Sequence, residues 1–209
     1  MRKPSQIQED APKQPQRERG RARVAALLDA AAAVFADKGY EAATMTEIAA
    51  RAESSIGSLY QFFRTKELVA DALMARYAEV LLARLAGFEA EAAGWSIEEL
   101  GSRLAGAFIE FRAEHPAFAA LAEAQGAPTA TVLEFRAQLR RQIGAILHRL
   151  APSAPAAELE ITASVTLQMM KAAVSVNAEP NLPRKRAVLD ELKGLLQRYL
   201  RERLPSMSK

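Results

Sequence analysis

Apolar residues recur at steps of three and four along most of the chain, and no segment alternates apolar and polar residues as a half-buried strand does. The first such run starts at Arg21 and places Val24, Leu27, Ala31 and Phe35 on one face of a helix. Alanine is used heavily, and it loses the least free energy on entering a helix. The sequence therefore predicts an all-α protein of about nine helices.

The composition favours a reducing interior and excludes some kinds of site. The 209 residues include no cysteine and only two histidines, so neither disulfides nor a transition-metal site is predicted. The polar, proline-broken N-terminus lacks the apolar core of a secretory signal. No run approaches the roughly 18 apolar residues of a membrane span. We therefore expect a cytoplasmic protein without a metal or other cofactor.

The first residues differ from the rest of the chain. Residues 1–19 have no helical period and are rich in proline, glutamine and charge, which predicts a disordered basic arm. The segment RERGRAR, residues 17–23, contains four arginines and one glutamate. Such a run is usually a solvated surface or a flexible tail, and it gains meaning only beside a nucleic-acid-binding element.

Two short helices follow the first helix. Thr44 or Thr46 can cap the second helix, and the third begins at Ser54 or Ser55 and extends to about residue 63. Isolated helices of this length are only marginally stable in water. We therefore expect both to be held by packing against the first helix.

The third helix has two different faces. Leu59 and Phe63 are four residues apart and can face inward, which turns Ser55, Ser58, Tyr60 and Gln61 outward. A short helix with a locked inner face and an outer face of hydrogen-bonding side chains fits a DNA major groove. An ordinary helical hairpin with a polar surface has the same spacing, and the periodicity leaves both interpretations open.

A family resemblance favours the DNA-binding interpretation. The segments AAAVFADKGYEAATM (31–45), TEIAARA (46–52) and SSIGSLYQFFRTKEL (54–68) resemble the N-terminal DNA-binding domain of the TetR family of bacterial transcriptional repressors. The resemblance covers about fifty residues and every helix junction, whereas the rest of the chain resembles the family only in length and helix pattern. It implies a helix-turn-helix domain at 20–66 and a larger effector-binding and dimerisation domain at 67–209.

The resemblance also implies which residues contact DNA. Threonines open the second helix at a phosphate, the third helix enters the major groove, Lys66 begins the fourth helix at another phosphate, and the arginine-rich arm follows the duplex. The predicted DNA-binding residues are Arg21, Arg23, Thr44, Thr46, Ser55, Ile56, Gly57, Ser58, Tyr60, Gln61, Phe62 and Lys66.

Three positions depart from the family pattern. Glu53 stands where glycine is usual, so a positive φ there would strain the turn. Ser54 stands where a buried valine is common. Ile56 replaces a frequent lysine or threonine, which reduces phosphate affinity and favours contact with a thymine methyl group.

For the larger domain, the resemblance implies a largely apolar effector pocket and a four-helix bundle formed by the last two helices of each protomer. Simple core packing is the alternative for both sets of residues. The predicted pocket residues are Trp95, Phe108, Phe111, His115, Phe118, Phe135, Gln168 and Met169. The predicted interface residues are Val165, Met170, Val188, Leu192, Leu195 and Tyr199.

The predicted function is a dimeric repressor that binds a pseudo-palindromic double-stranded DNA operator and is released by a small apolar effector. The alternative is a DNA-bound adaptor whose larger domain binds another protein. An enzyme is not expected, because the sequence has no GxSxG, no glycine-rich phosphate loop and no HExxH motif.

Overall fold

The computed structural model describes residues 14–123 and 129–204, and every regular element in those two ranges is helical. The all-α prediction is therefore confirmed. The elements are α1 (Gln14–Ala42), α2 (Met45–Arg51), α3 (Ile56–Phe62), α4 (Lys66–Glu91), a 3₁₀ turn (Ala92–Gly94), α5 (Ile97–Glu114), α6 (Pro116–Glu123), α7 (Ala130–Leu150), α8 (Ala156–Ala178) and α9 (Lys185–Arg203).

Helix α1 begins earlier than its apolar pattern predicts. Residues 14–19 are helical, so the prediction of disorder is wrong for them, and residues 1–13 of the predicted arm lie outside the described ranges. Glutamine, arginine and glutamate are good helix formers, and proline is tolerated in a first helical turn. Such a polar extension has no apolar period by which the sequence could reveal it.

Helix α1 is interrupted at Gly39. This residue has φ 77° and ψ 169°, a conformation that glycine adopts without the steric cost of a Cβ atom. The break redirects the chain, so that Tyr40 turns away from the axis of α1 and packs on Phe35, with ring centroids 5.7 Å apart.

Helices α1, α2 and α3 form a small head. Phe35 of α1, Ile48 of α2 and Leu59 of α3 are all fully buried in its core. Thr44 caps α2 in a capping box with Glu47, and Ser55 caps α3 by accepting a hydrogen bond from Ser58 N at 3.1 Å. The predicted caps are confirmed, and so is the packing of α2 against α1, whereas α3 packs chiefly on α2.

The remaining helices form the larger part of the molecule. Helix α4 continues from the head and packs on α7, which packs on α8, and α8 in turn contacts α5 and α9. Helix α6 contacts α1, which gives the head a second connection to the larger part. Leu81 of α4, Leu104 of α5 and Ile143 of α7 are buried at the centre of these contacts.

The turn between α2 and α3 is a Schellman motif. Ser54 N donates to Ala49 O at 2.9 Å and Glu53 N donates to Ala50 O at 3.1 Å. Glu53 has φ 49°, which is the left-handed conformation that this motif requires and that glycine adopts most easily. The strain predicted from the missing glycine is therefore present in the fold.

Replacing Glu53 with glycine should stabilise the protein. The left-handed conformation costs a residue with a side chain about 1–2 kcal/mol. Glycine avoids this cost, but its greater freedom in the unfolded chain destabilises the folded state by about 0.4–1 kcal/mol. We expect a net gain of about 0.5–1 kcal/mol in the free energy of unfolding, measured by chemical denaturation.

The matched control is Glu53→Ala, which removes the same carboxylate but keeps a Cβ atom in the left-handed conformation. This variant should not gain the stability of the glycine variant. Equal stability of the two variants would attribute the effect to the lost charge and would contradict the assignment of backbone strain.

Candidate nucleic-acid interface and internal cavity

The outer face of α3 combines apolar and hydrogen-bonding side chains. Tyr60 is 47% exposed, Ile56 is 39% exposed and Phe62 is 40% exposed. Ser55, Gly57 and Gln61 are also exposed, and Ser58 is half-buried. Because Leu59 anchors the opposite face in the head, α3 presents this surface in a fixed orientation.

The start of α2 lies beside this surface. The Thr44 hydroxyl accepts a hydrogen bond from Glu47 N at 3.3 Å and donates to Glu47 Oε2 at 3.0 Å, while Thr46 is exposed in the first turn of the helix. The free amides of a helix N-terminus and an adjacent hydroxyl suit a phosphate group. Glu47 also pairs with Lys38, which neutralises its carboxylate.

Arg21 and Arg23, the two arginines predicted to contact DNA, are exposed on α1. Arg21 and Arg23 are two residues apart, so their side chains leave the helix about 200° apart. Arg19 and Arg23, four residues apart, share one face.

Lys66 forms contacts within the head. Its ammonium group donates to the carbonyl oxygens of Tyr40 at 2.8 Å and Glu41 at 3.0 Å, and it lies 4.5 Å from the centre of the Tyr40 ring. Lys66 thus fastens the start of α4 to the end of α1. A phosphate contact of Lys66 stays a prediction, and it would use the third hydrogen of the same ammonium group.

A cavity of about 550 Å³ lies between the head and the larger helices. Phe111 and Phe118 lie 5.2 Å apart and Phe118 and Phe135 lie 6.2 Å apart, each pair edge to face, and Phe108 completes the aromatic wall. The volume is in the range of small-molecule binding sites. Four of the eight residues predicted to form a pocket therefore line one cavity.

Trp95 and His115 lie outside the lining of this cavity. Trp95 packs against Phe88 at 5.3 Å, with the Arg103 guanidinium 4.5 Å above its ring. His115 caps the end of α5 and packs against Tyr77 at 5.0 Å. Burial lowers the pKa of His115 below its ordinary value, which favours the neutral ring among these aromatic groups.

Gln168 and Met169 also lie outside the lining. On α8 the cavity is lined by Leu167, Lys171 and Val174, which follow one another at helical steps of four and three. Gln168 is exposed on another side, and Met169 lines a separate groove of about 180 Å³ between α5, α8 and α9. Helix α8 is apolar on several sides, so its sequence does not reveal which side faces the cavity.

The cavity also contains polar residues that sequence reasoning missed. Tyr40 Oη donates to Glu67 Oε1 at 3.2 Å, and Thr129 Oγ1 donates to Asp71 Oδ1 at 2.9 Å. Burial, followed by the nearby Glu67 carboxylate, raises the pKa of Tyr40 to about 12, so its phenol stays protonated. These contacts join residues far apart in the sequence, so no local sequence pattern predicts them.

Comparison with known proteins identifies the chain. A family profile described as "Bacterial regulatory proteins, tetR family" matches residues 27–73, and one described as "Tetracyclin repressor-like, C-terminal domain" matches residues 96–200, half of the chain. The chain belongs to the TetR family. It is a DNA-binding transcriptional regulator, and α2 and α3 form its helix-turn-helix.

Individual known proteins are similar to this chain over most of its length or over a short part of it. A TetR-family transcriptional regulator from Streptomyces coelicolor is 25% identical, with 87% of this chain and 99% of that chain covered and a TM-score of 0.65. FadR from Bacillus subtilis, solved in complex with stearoyl-CoA, is 15% identical, with 86% and 97% covered and a TM-score of 0.61. The FadR likeness shows the fold alone.

The A-factor receptor protein of Streptomyces griseus is 50% identical over 48 residues, which are 23% of this chain. The matched stretch spans 17% of that protein's length. The similarity therefore concerns a short part of each chain and carries nothing about what the larger domain binds.

The last two helices of this TetR-family protein leave apolar side chains in solvent. Ile161 of α8 is 58% exposed, and Val188 and Leu195 of α9 are 37% and 42% exposed. Val165 and Tyr199 are half-buried. Together Ile161, Val165, Val188 and Leu195 are called the α8–α9 face below.

Two residues predicted for the interface lie elsewhere. Met170 is buried within the protomer, on the side of α8 that contacts α5 and α9, so a partner chain cannot reach it. Leu192 is half-buried and lines the same groove as Met169, between α5, α8 and α9. In both cases the helix turns the predicted side chain toward its own neighbours.

No helix in the two described ranges is long and apolar enough to cross a membrane. The TetR family consists of transcriptional regulators, which are generally not enzymes.

Proposed function

We propose that the protein is a cytoplasmic, dimeric repressor that binds a pseudo-palindromic operator and is released when a small, largely apolar effector fills the cavity. The observation that carries this proposal is the position of Tyr40 and Glu67. Both line the cavity, and both belong to the junction between the head and α4.

The outer face of α3 supports operator binding. Ser55, Tyr60 and Gln61 offer hydrogen-bonding groups to phosphates and base edges, and Ile56 and Phe62 offer apolar contact to thymine methyl groups. The domain boundaries of 20–66 and 67–209 are part of the proposal. Helix α4 begins at Lys66, at the edge of the first domain, and its residues also line the cavity. A shift of this helix would therefore move parts of both domains.

The junction supports release by a ligand. Glu67 accepts a hydrogen bond from the Tyr40 phenol, and the neighbouring Lys66 holds the Tyr40 carbonyl. A ligand that shifts the phenol or the carboxylate therefore also shifts the seam between α1 and α4. It changes operator affinity to the extent that it binds the two arrangements of this seam with different affinities.

The α8–α9 face supports a dimer. Its apolar side chains come from neighbouring helices that pack on each other, and a two-fold axis would bury the face against its own copy. Two heads related in this way can contact two half-sites on the same side of a duplex.

The cavity favours a small-molecule sensor over the adaptor alternative. An adaptor needs no such cavity, whereas a cavity of about 550 Å³ lined by four phenylalanines suits an apolar molecule. In FadR of Bacillus subtilis, a protein of the same fold, a complex with stearoyl-CoA is known. That complex shows that the fold can accommodate a ligand with a long apolar chain.

Footprinting tests the proposal. The protein should select DNA from a genomic library, and the selected fragments should show two protected half-sites with centres about 34–36 Å apart along one face of the duplex. Protection of a single half-site would contradict the dimer. Failure to retard any fragment at low salt would contradict operator binding itself.

A further inference from the structure

Two cations interrupt the apolar faces that α7 and α8 turn toward the cavity. On α7 the lining residues are Val132, Phe135, Arg136 and Leu139, and on α8 Lys171 lies between Leu167 and Val174. The side of a helix that faces an apolar interior normally carries only apolar residues. Arg136 is half-buried and Lys171 is exposed, so these two charges lie on the lining where the cavity reaches solvent.

Neither cation has a counter-ion among the residues that the structure describes. In the part of the chain that the structure describes, Arg136 and Lys171 form no hydrogen bond and no ion pair. Other arginines of α7 do form ion pairs, as Arg141 does with Glu134 at 2.8 Å and Arg149 with Glu89 at 3.6 Å. Arg136 instead lies close enough to Lys171 to lower its pKa, together with the larger effect of burial.

The two carboxylates of the cavity accept hydrogen bonds from neutral groups of the same lining. Glu67 accepts a hydrogen bond from the phenol of Tyr40, and Asp71 accepts one from the hydroxyl of Thr129. Thr129 precedes Arg136 by seven residues, which is about 10 Å along α7. The cavity therefore has an acidic end near the head and a cationic wall farther along α7 and α8.

We propose that the effector is an apolar molecule with one anionic group, and that Arg136 and Lys171 bind this group while the phenylalanines enclose the apolar body. Two like charges without a counter-ion in a partly buried site repel each other, and an anion between them converts repulsion into charge-assisted hydrogen bonds. This inference rests on the proposed function, because it assigns the chemistry of the ligand to the same cavity.

The test compares probes that differ only in charge. Binding of decanoate, decyl phosphate, 1-decanol and decylammonium to the full-length protein is measured by titration calorimetry without DNA. We expect the two anions to bind at least tenfold more tightly than 1-decanol, and decylammonium to bind most weakly. Tighter binding of decanoate assigns a carboxylate, and tighter binding of decyl phosphate assigns a phosphate monoester. Equal affinity for 1-decanol and both anions would overturn the inference, as would the absence of binding by every anion.

The variants locate the anion. The double variant Arg136→Met, Lys171→Met should lose roughly tenfold to a hundredfold in affinity for the better anion and keep its affinity for 1-decanol. Lys171→Arg keeps the charge and should retain most of the affinity. The matched control is Arg141→Met, on the same helix but outside the lining, which should bind like the unaltered protein. An anion affinity that is unchanged in the double variant would overturn the assignment.

A gel shift separates this inference from the proposed function. If an anion binds through Arg136 and Lys171 but does not release the operator, the ligand assignment stands and the release mechanism fails. If 1-decanol releases the operator as well as the anions do, release by an apolar effector stands and the requirement for an anion fails.

Discussion

Replacing Leu195 with glutamate is expected to leave the protein monomeric and to lower its affinity for a full operator at least a hundredfold. Leu195 is 42% exposed on the α8–α9 face, so the single protomer tolerates a charge at this position. A two-fold interface buries the same residue of both protomers. Burying an unpaired carboxylate costs several kcal/mol, and each 1.4 kcal/mol is a factor of ten in affinity.

Sedimentation equilibrium measures the assembly state, and a gel shift with the two-half-site fragment measures operator affinity. Val80→Glu is the matched control, because Val80 is 41% exposed on α4 and lies outside the α8–α9 face. The control should remain dimeric and bind the operator. A Leu195→Glu variant that also remains dimeric would place the interface on another surface.

The sequence predicted the helix junctions well, because caps are local. Thr44 and Ser55 each accept a backbone hydrogen bond from a residue three positions later, so a short sequence window contains both partners. The strained turn at Glu53 could be anticipated for the same reason. A residue other than glycine just after the C-terminus of a helix is forced into a positive φ, which its Cβ atom disfavours.

The sequence predicted the cavity only in part, because a broad apolar helix does not reveal its orientation. The phenylalanines of α5, α6 and α7 lie on narrower apolar faces, and all four predicted from these helices line the cavity. On α8 the prediction chose Gln168 and Met169, one and two residues away from Leu167. A rotation of about 100° per residue directs those side chains elsewhere.

The junction between the head and the cavity was not predictable from the chain. Tyr40 contacts Glu67, and Lys66 contacts the Tyr40 carbonyl, across 26 or 27 residues of sequence. These contacts depend on the break at Gly39 and on the packing of α6 against α1. Sequence reasoning assigned Lys66 to a phosphate alone and so missed its contacts within the head.

Substitutions on the outer face of α3 should have the second large effect on operator affinity. We expect the double variant Tyr60→Ala, Gln61→Ala to lose about a hundredfold in operator affinity. A good contact to a base edge or phosphate is worth about 1–3 kcal/mol, and this variant removes two. Both side chains are exposed, so the free energy of unfolding should change by less than about 0.5 kcal/mol.

The contrasting variant is Leu59→Ala, on the opposite face of the same helix. Leu59 is fully buried, so its truncation should lower the free energy of unfolding of the head by about 2–5 kcal/mol. Operator affinity then falls because α3 is no longer held in place. The two variants thus separate contact with DNA from support of the contact surface. If the double variant Tyr60→Ala, Gln61→Ala binds the operator with unaltered affinity while Leu59→Ala does not, another element of the head contacts the bases.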